Sequence, residues 1–474
     1  MHLNSKKKKA IRQLVFLDYT TAVLAWFTFW VYRQNLLTKI PYFDTLHKFQ
    51  PRDYINTFII IPAGWLFLYL LSGTYFDLYR KSRLNEVNRT LISCIIGSTV
   101  LSIVVFANDT SDYSYFINAA THYLFIHTLY VLVFRLLILN HVKNNLVRGK
   151  VGFNTLIIGG NKQAINIYKQ LLDNPKALGN LFLGFIYSNK ENGNGMSEYL
   201  PQLGHLSQLE EIIDKHHIEE VIVAVDSSEH HLLENILTRL CYHPVVVKVL
   251  PDYYDIISGS VKTSNVYDAI LIHIHPELMP DWQRVCKRAI DITFSAVALI
   301  ILSPFLLFSA IMVKLSSKGP VIFTQQRIGL YGRPFRIFKF RSMFVDAEKT
   351  GPALSSKMDA RITKWGRIMR KWRIDELPQF INIIIGNMSL VGPRPERKHY
   401  IDIISDQHAH YKYLHKVKPG LTSWGMVQFG YAENVEEMIA RMKYDLLYIE
   451  NCSLALDVKI ILYTLIVIFQ GRGK

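Results

Sequence analysis

Two adjacent carboxylates, Asp375 and Glu376, follow a strongly basic stretch of the chain. That stretch, RITKWGRIMRKWR at 361–373, contains six Lys and Arg side chains. Beside so many cations, one carboxylate can attack phosphorus and the other can hold a divalent metal. The cations can neutralise the phosphoryl oxygens as negative charge develops on them. An exposed helix with ion pairs four residues apart would have a similar composition. These residues alone therefore leave phosphate chemistry and a solvated charged helix both open.

More cations precede the carboxylate pair. Between Arg327 and Arg373 the chain carries 13 Lys and Arg and only three acids, and a bound diphosphate needs several such donors around it. Lys339 and Arg341 lie two residues apart in FRIFKFRSM, so on an extended strand they share one face while Phe338 and Phe340 take the other. This alternation predicts that Lys339 and Arg341 bind substrate phosphate.

Two further arginines are candidate phosphate ligands. Arg370 lies five residues before Asp375 and can project into the same pocket if the helix bends there. Arg394 stands between Pro393 and Pro395, which restrict the backbone and suit a preorganised ligand. A turn of this composition can also simply connect two helices and bind no ligand.

Several ordered motifs surround these residues. They are GPVIFTQQRIG at 319–329, FRIFKFRSM at 335–343, GNMSLVGPRP at 386–395 and KPGLT at 418–422. Together with the Asp-Glu pair, and densely from about Lys287 to the C-terminus, they resemble the bacterial sugar transferase family, the polyprenyl-phosphate glycosyl-1-phosphate transferases. The chain departs from many members at Ser423, where they have Gly, and at Tyr431, where they have Arg. Both departures concern the donor-recognition end of the site.

The resemblance implies a reaction and roles for the carboxylates. Asp375 would be the nucleophile that attacks the sugar-linked phosphorus of a UDP-sugar, and Glu376 would help to bind magnesium. UMP would leave, and the aspartyl phosphosugar would pass its hexose-1-phosphate to undecaprenyl phosphate. Such a transfer initiates an exopolysaccharide, capsule or O-antigen. The implied partners are the UDP-sugar, undecaprenyl phosphate and the lipid bilayer, and a homodimer is left open.

The first 145 residues predict four transmembrane helices. The apolar stretches lie at about 14–32, 57–77, 90–106 and 120–140. The basic start of the chain at 6–9 places the N-terminus inside, and two hairpins return the chain to the cytoplasm. The first loop fits less well, because Arg33 and other cations would lie outside. We expect a multi-pass protein of the bacterial inner membrane whose catalytic domain faces the cytoplasm.

Residues 146–265 predict a Rossmann-like domain. Apolar strand-like runs at 155–160, 182–187, 221–225 and 245–250 alternate with helical runs, as in a parallel α/β sheet. Gly159, Gly160 and Asn161 supply only a fragment of the dinucleotide fingerprint, and no acid ends the second strand. A structural or regulatory role is therefore favoured over dinucleotide binding.

An apolar run at 292–313 is interrupted by Ser303 and Pro304. A straight fifth span is one interpretation, but it would put the site outside, away from nucleotide-activated sugars. Proline breaks a helix at a cost of about 3 kcal/mol, and both flanks of the run are basic, as an inside interface requires. We therefore predict, as the resemblance also implies, a re-entrant helix over about 285–314.

The predicted fold is thus a multidomain α/β membrane protein. It comprises a four-helix transmembrane bundle over 1–145, the Rossmann-like parallel α/β domain over 146–265, a linker over 266–280, and a mostly helical catalytic domain with the re-entrant membrane helix over 281–474. This last segment holds 29 Lys and Arg against 16 acids, which gives +13 of the net +16. The basic charge fits anionic lipids and phosphorylated substrates; nucleic acid is disfavoured because no nucleic-acid module is present.

Two other functions compete with sugar-phosphate transfer. A membrane-tethered nucleotide-sugar modifying enzyme would need a Tyr-x-x-x-Lys pair, and none of the 26 tyrosines has Lys four residues later. A non-catalytic scaffold for polysaccharide assembly would be expected to lose the nucleophile, whereas Asp375 and Glu376 are both present. The four cysteines have no metal-ligand spacing.

Overall fold

A computed structural model provides the fold. It describes residues 5–38, 49–106, 109, 113–173, 179–187, 195–225, 229–250, 271–274, 278–347, 359–430, 432 and 434–469. The chain divides into two units. The first contains Met1–Phe153 with Asn174–Leu181, and the second contains Asn154–Asp173 with Phe182–Lys474.

The first unit consists of helices that suit a membrane. They are α1 (Ser5–Thr38), α2 (Pro51–Leu71), α3 (Arg83–Val104) and α4 (Tyr113–Val147), all four long and apolar enough to cross a bilayer. Each predicted stretch overlaps one of them, so the number of candidate spans agrees with the sequence prediction. The second predicted span was placed too far along the chain, since α2 ends at Leu71 and the left-handed Gly73 (φ 75°) turns the backbone.

Buried charges join these helices. Arg135 of α4 donates to both carboxylate oxygens of Asp18 in α1, at 2.8 and 2.9 Å, and to Thr90 of α3 at 2.9 Å. Nearer the loops, Arg33 pairs with Asp109. An uncompensated charge inside a membrane is costly, so these pairs stabilise the packing of the helices. Arg33, predicted to lie in the first loop, is part of helix α1, and the Asp109 contact compensates its charge.

The second unit begins with a six-stranded sheet in the order β3-β2-β1-β4-β5-β6. The strands are β1 (Phe153–Ile158), β2 (Asn180–Tyr187), β3 (Gln202–His205), β4 (Glu220–Val223), β5 (Val246–Val249) and β6 (Ile272–Ile274), and the helices are α5 (Lys162–Asp173), α6 (Leu209–His216) and α7 (His230–Leu240). Strand β4 lies parallel between β1 and β5. Its apolar residues pack with those of the helices into one core. The parallel α/β fold predicted here is confirmed.

Two strands of this sheet were missed by sequence patterns. Strand β3 is short and mostly polar, and β6 pairs antiparallel with β5 at the edge of the sheet. Strand β6 falls within 266–280, which the sequence analysis assigns to a linker. That part of the linker is therefore an edge strand of the α/β domain.

The rest of the unit is mostly helical. Its helices are α8 (Asp281–Ile301), α9 (Ser303–Ser316), α10 (Lys364–Lys371), α11 (Gln379–Ile385), α12 (Lys398–Gln407), α13 (Trp424–Gln428), α14 (Val435–Glu450) and α15 (Leu454–Phe469). Two small sheets complete it: antiparallel β7 (Ile322–Ile328) with β8 (Pro334–Phe340), and parallel β9 (Ser389–Val391) with β10 (Gly420–Thr422). Buried side chains from β9, α11, α12 and α14 form the core that supports the site.

Helices α8 and α9 meet at a sharp bend. The helix axis bends by 66° at Leu302, and Pro304 lies in the first turn of α9. Proline is suited to a first turn because its missing N–H would have no partner there. This geometry suits either a broken span or a re-entrant hairpin, so re-entry stays a prediction.

Candidate active site

Asp375 and Glu376 lie in a tight turn between two helices. Helix α10 ends at Lys371, Arg373 takes a left-handed conformation (φ 61°), and the 3₁₀ turn Ile374–Glu376 follows. A non-glycine residue in that region is uncommon and needs support from its surroundings. The chain is thereby turned so that the carboxylates are presented together, and Pro378 then leads into α11.

The two carboxylates differ in their partners. Glu376 accepts from Lys339 at 2.8 Å and from Arg394 at 3.4 Å, and it pairs with Arg373. For Asp375, no hydrogen bond is made to its carboxylate by any residue that the structure describes. Both residues are largely buried, at 8% and 7% exposure. Glu376 is thus fixed by cations, while the Asp375 carboxylate is left available.

Their pKa values move in opposite directions. Burial raises the pKa of Asp375, and the negative charge of Glu376 raises it further, against the lowering effect of Lys339 and nearby arginines. Burial would also raise the pKa of Glu376, but Arg373, Lys339 and Arg394 outweigh it, so that pKa lies well below the ordinary value. Neighbouring carboxylates with such different environments are suited to different chemical roles.

Both carboxylates open onto a cavity of about 520 Å³. All the candidate ligands predicted from the sequence line it: Asp375, Glu376, Lys339, Arg341, Arg370 and Arg394. A volume of this size is typical of sites for small ligands. The dense positive lining favours an anionic one.

Lys339 and Arg341 reach the cavity from the end of β8. Asn382 of α11 holds this strand, since its side chain accepts from the Phe338 N–H at 2.9 Å and donates to the Arg336 carbonyl at 2.7 Å. Arg341 donates through Nη2 to the Ser317 carbonyl at 2.6 Å. Within the described part of the chain, its buried Nε and Nη1 atoms have no hydrogen-bond partner. Arg341 therefore retains donors for an anion.

Arg370 occupies the last turn of α10. Its Nε donates to the Ser342 hydroxyl at 2.9 Å, which directs the guanidinium toward the segment that follows β8. Burial lowers the pKa of Arg370, against the opposing charge of Asp375. The helix end thus brings Arg370 to the carboxylate pair, as the sequence spacing predicts.

Arg394 is held by two loops in contact. The Gly392 N–H donates to the Thr422 carbonyl at 3.0 Å, and the Gly420 N–H donates to the Pro393 carbonyl at 2.9 Å. A side chain on Gly420 would begin 2.1 Å from the Gly392 nitrogen, so the loops can approach this closely only with glycine. The pairing fixes the backbone on which Arg394 stands.

Other residues of the cavity were missed from the sequence. Glu396, Arg327 and Arg441 also line it. Arg327 lies within the motif at 319–329, and Glu396 directly follows the motif at 386–395. These positions are a sequence signal by which both residues could have been predicted. Arg441 comes from the middle of α14 and has no local signal. Of the two departures noted, Ser423 caps α13 by accepting the Met426 N–H at 3.0 Å, and Tyr431 lies outside the described residues.

The carboxylates of this site could supply only part of the coordination shell of a magnesium ion. Among the residues that the structure describes, no group of three or more His, Cys, Asp and Glu could hold a metal ion. Mg²⁺, however, often takes only one or two carboxylates and completes its shell with water and substrate phosphates. Asp375 and Glu376 fit an ion of that kind, provided that an anionic ligand supplies further oxygens.

Two residues of the glycine-containing turn after β1 make structural contacts in the described part of the Rossmann-like domain. Asn161 accepts the Ala164 N–H at 2.9 Å and so caps the start of α5 with the chain's own side chain. A side chain on Gly159 would begin 2.3 Å from the Ala224 carbonyl oxygen, which gives this glycine a packing role. These contacts give Gly159 and Asn161 local structural roles, and the preference for a structural or regulatory domain over dinucleotide binding stays a prediction.

Two segments of the chain match known protein families. Residues 282–471 match the sequence profile described as "Bacterial sugar transferase", and residues 71–251 match one described as "CoA-binding domain". A "UDP-N-acetylgalactosamine-undecaprenyl-phosphate N-acetylgalactosaminephosphotransferase" of Aeromonas hydrophila is 35% identical over 58% of this chain and 66% of its own. A "UDP-glucose:undecaprenyl-phosphate glucose-1-phosphate transferase" of Xanthomonas campestris pv. campestris is 37% identical over 56% of each chain.

A shorter relative is covered almost completely. The "Exopolysaccharide production protein PSS" of Rhizobium leguminosarum bv. phaseoli is 38% identical over 40% of this chain and 98% of its own. The chain thus spans less than two thirds of the length of the first two relatives, but nearly all of this one.

Proposed function

Because the chain belongs to the bacterial sugar transferase family, we propose that it transfers a hexose-1-phosphate from a UDP-sugar to undecaprenyl phosphate. The observation that carries the proposal is the state of the carboxylate pair. Asp375 has no donor among the described residues and opens onto a cavity lined by cations, while Glu376 is held by three of them. An available carboxylate in such a cavity is suited to attack on phosphorus.

The reaction has two steps. An oxygen of the Asp375 carboxylate attacks the phosphorus that bears the sugar, and the bond from that phosphorus to the bridging oxygen breaks. UMP leaves with the electron pair of that bond, and an aspartyl phosphosugar remains. An oxygen of undecaprenyl phosphate then attacks the same phosphorus, the Asp375–phosphorus bond breaks, and the carboxylate is restored.

The cations suit the charge that develops during both steps. Arg341 has buried donors without a partner in the described chain, and Arg394 stands on a backbone held by β9 and β10. Donors fixed before the substrate binds stabilise a phosphoryl transition state without further reorganisation. Arg370 can serve the same phosphate from the end of α10.

Magnesium is part of the proposal. Glu376 would hold it, with Asp375 nearby, and the ion would supply further neutralisation of the diphosphate. Lys339 and Arg394 currently bind the same oxygen of Glu376. An ion held by Glu376 would therefore share this carboxylate with the two cations.

The membrane arrangement follows from where the substrates are. UDP-sugars are cytoplasmic and undecaprenyl phosphate lies in the membrane, so the site should face the cytoplasm beside a re-entrant α8–α9 hairpin in the bacterial inner membrane. The Rhizobium leguminosarum relative is named for exopolysaccharide production. We infer that this chain initiates such a polysaccharide, a capsule or an O-antigen.

The decisive experiment identifies the nucleotide product. Membranes that contain the protein and polyprenyl phosphate are given a panel of UDP-sugars, including UDP-glucose and UDP-N-acetylgalactosamine. Release of UMP with formation of a diphosphate-linked lipid is the expected result. Release of UDP would indicate ordinary glycosyl transfer, and release of neither nucleotide would favour a non-catalytic scaffold.

A further inference from the structure

Glu396 lies at the centre of a second charged cluster in the cavity wall. Its carboxylate accepts from Arg441 of α14 at 2.9 Å and from Arg327 of β7 at 3.4 Å. The main chain of Glu396 is tied to the same strand, because its carbonyl accepts the Ile328 N–H at 3.2 Å. Glu396 is therefore anchored to two different elements, by its side chain and by its backbone.

Arg394 stands two residues before this anchor. Its Nε lies 3.9 Å from Glu396, and its Nη2 lies 3.4 Å from Glu376, so the guanidinium sits between two carboxylates. Pro395 alone separates Arg394 from Glu396 and allows the intervening backbone little freedom. A fixed Glu396 therefore fixes the end of the loop that presents Arg394.

The cluster depends on the charge of Glu396. The residue is 7% exposed, and the arginines around it would repel one another without its charge. Burial would raise the pKa of Glu396, but Arg441, Arg327 and Arg394 outweigh it and lower the pKa, so the group is ionised at neutral pH. Its hydrogen bonds to Arg441 and Arg327 occupy the carboxylate, which disfavours a direct role in the chemistry.

We propose that Glu396 is a positioning residue that holds Arg394 in place for the diphosphate of the substrate. The inference rests on the proposed function, since it names how a phosphate ligand of that site is oriented. It assigns Glu396 no contact with the substrate.

UDP binding provides the test, because it requires no turnover. Calorimetric titration of the full-length protein with UDP is compared for the wild type and Glu396→Gln, which keeps the shape and removes the charge. We expect the variant to bind UDP about 10-fold more weakly, as loss of about 1.4 kcal/mol implies. Glu436→Gln is the matched control, since Glu436 is an exposed acid on the same helix as Arg441, and it should bind like the wild type.

A double variant separates positioning from a general structural effect. If Glu396 acts through Arg394, then Arg394→Gln combined with Glu396→Gln should bind UDP within about 2-fold of Arg394→Gln alone. Losses that multiply, or wild-type affinity in Glu396→Gln, would overturn the inference. If Glu396→Gln melts well below the wild type, Glu396→Asp is measured instead: it keeps the charge and should bind UDP within about 2-fold of the wild type, and a loss of about 10-fold in a stable Glu396→Asp would overturn the inference.

The outcomes also separate this inference from the proposed function. A wild type that binds UDP but releases no UMP contradicts only the proposed reaction. UMP release together with unchanged UDP affinity in Glu396→Gln contradicts only the role of Glu396. A wild type that does not bind UDP contradicts both.

Discussion

The ammonium group of Lys339 lies 2.8 Å from Oε1 of Glu376, and the two side chains are only 17% and 9% exposed. This ion pair joins the end of β8 to the turn after α10. Arg373, Lys339 and Arg394 together keep Glu376 ionised, whereas Asp375 has no donor among the described residues. The different states of the two adjacent acids thus depend in part on a lysine far away in the sequence.

The pH dependence of turnover should reflect this pair. The pKa of Asp375 is raised by burial and by Glu376, so activity should fall with decreasing pH already above the range of an ordinary aspartate. Burial lowers the pKa of Lys339 despite Glu376, so its charge should be lost with increasing pH below the range of an ordinary lysine. The pH range in which kcat/KM is high should therefore be narrower than an ordinary aspartate and an ordinary lysine would give. Its acid limit should lie at higher pH and its alkaline limit at lower pH.

Lys339→Arg is the matched variant for the alkaline limb. Arginine stays protonated at any pH that the enzyme tolerates, so the alkaline limb should move to higher pH while the acid limb stays in place. An alkaline limb unmoved in this variant would show that another group titrates there.

Arg341 should be more important for turnover than other members of the same charge run. Its partnerless buried donors suit a phosphoryl oxygen, so Arg341→Gln should lower kcat/KM by about 100-fold, or about 2.7 kcal/mol. Arg333→Gln, which removes an exposed cation from the start of β8, should be nearly neutral. Equal losses in both variants would mean that these cations act only through the overall positive potential, and that Arg341 makes no particular contact with the phosphate.

Much of this site could be predicted because its signals are local. The alternation at Lys339 and Arg341, the spacing from Arg370 to Asp375, and the two prolines beside Arg394 all act within a few residues. Patterns of this kind constrain the backbone directly. They placed these side chains on the lining of one cavity without information on tertiary contacts.

The parts that could not be predicted depend on contacts between distant segments. The Glu396–Arg441 pair joins residues 45 positions apart, and nothing in the sequence near Arg441 distinguishes this buried arginine from surface cations. Strand β6 is only three residues long and is recognisable only by its pairing with β5. Arg135 likewise gives no hint of Asp18, its partner 117 positions away.

Asn382 should stabilise the strand that presents Lys339. Asn382→Leu removes the part-buried bonds to the Phe338 N–H and the Arg336 carbonyl and leaves both groups without the side chain that pairs them. The free energy of unfolding should fall by about 1–3 kcal/mol, visible as a lower melting temperature, and kcat/KM should fall as well. Asn451→Leu changes an exposed asparagine at the end of α14 and should alter neither quantity; similar effects in both would argue against the strand contact.

The bend between α8 and α9 should not reach the outer face of the membrane. In a cysteine-free background, Ser303→Cys in intact cells should resist an impermeant maleimide, because a re-entrant hairpin enters one leaflet only. Tyr113→Cys, at the start of α4 and 75% exposed, should react, since the orientation predicted from the sequence places it outside. Strong labelling at position 303 would reveal a true crossing and put the site on the other side.

The roles of Asp375 and Glu376 should separate in their variants. Asp375→Asn keeps the shape but removes the attacking charge, so turnover and the covalent phosphosugar should both vanish at any magnesium concentration. Glu376→Gln should bind magnesium more weakly and recover part of its activity as magnesium is raised.

Intact-protein mass spectrometry can detect the intermediate directly. After brief exposure of the wild type to the UDP-sugar without lipid acceptor, we expect a hexose-phosphate adduct, because the second step lacks its nucleophile. Glu376→Gln at high magnesium should form the adduct slowly, whereas Asp375→Asn should form none. An adduct that persists in Asp375→Asn would move the nucleophile to another residue and leave the pair as metal ligands, since an amide cannot form the aspartyl phosphate.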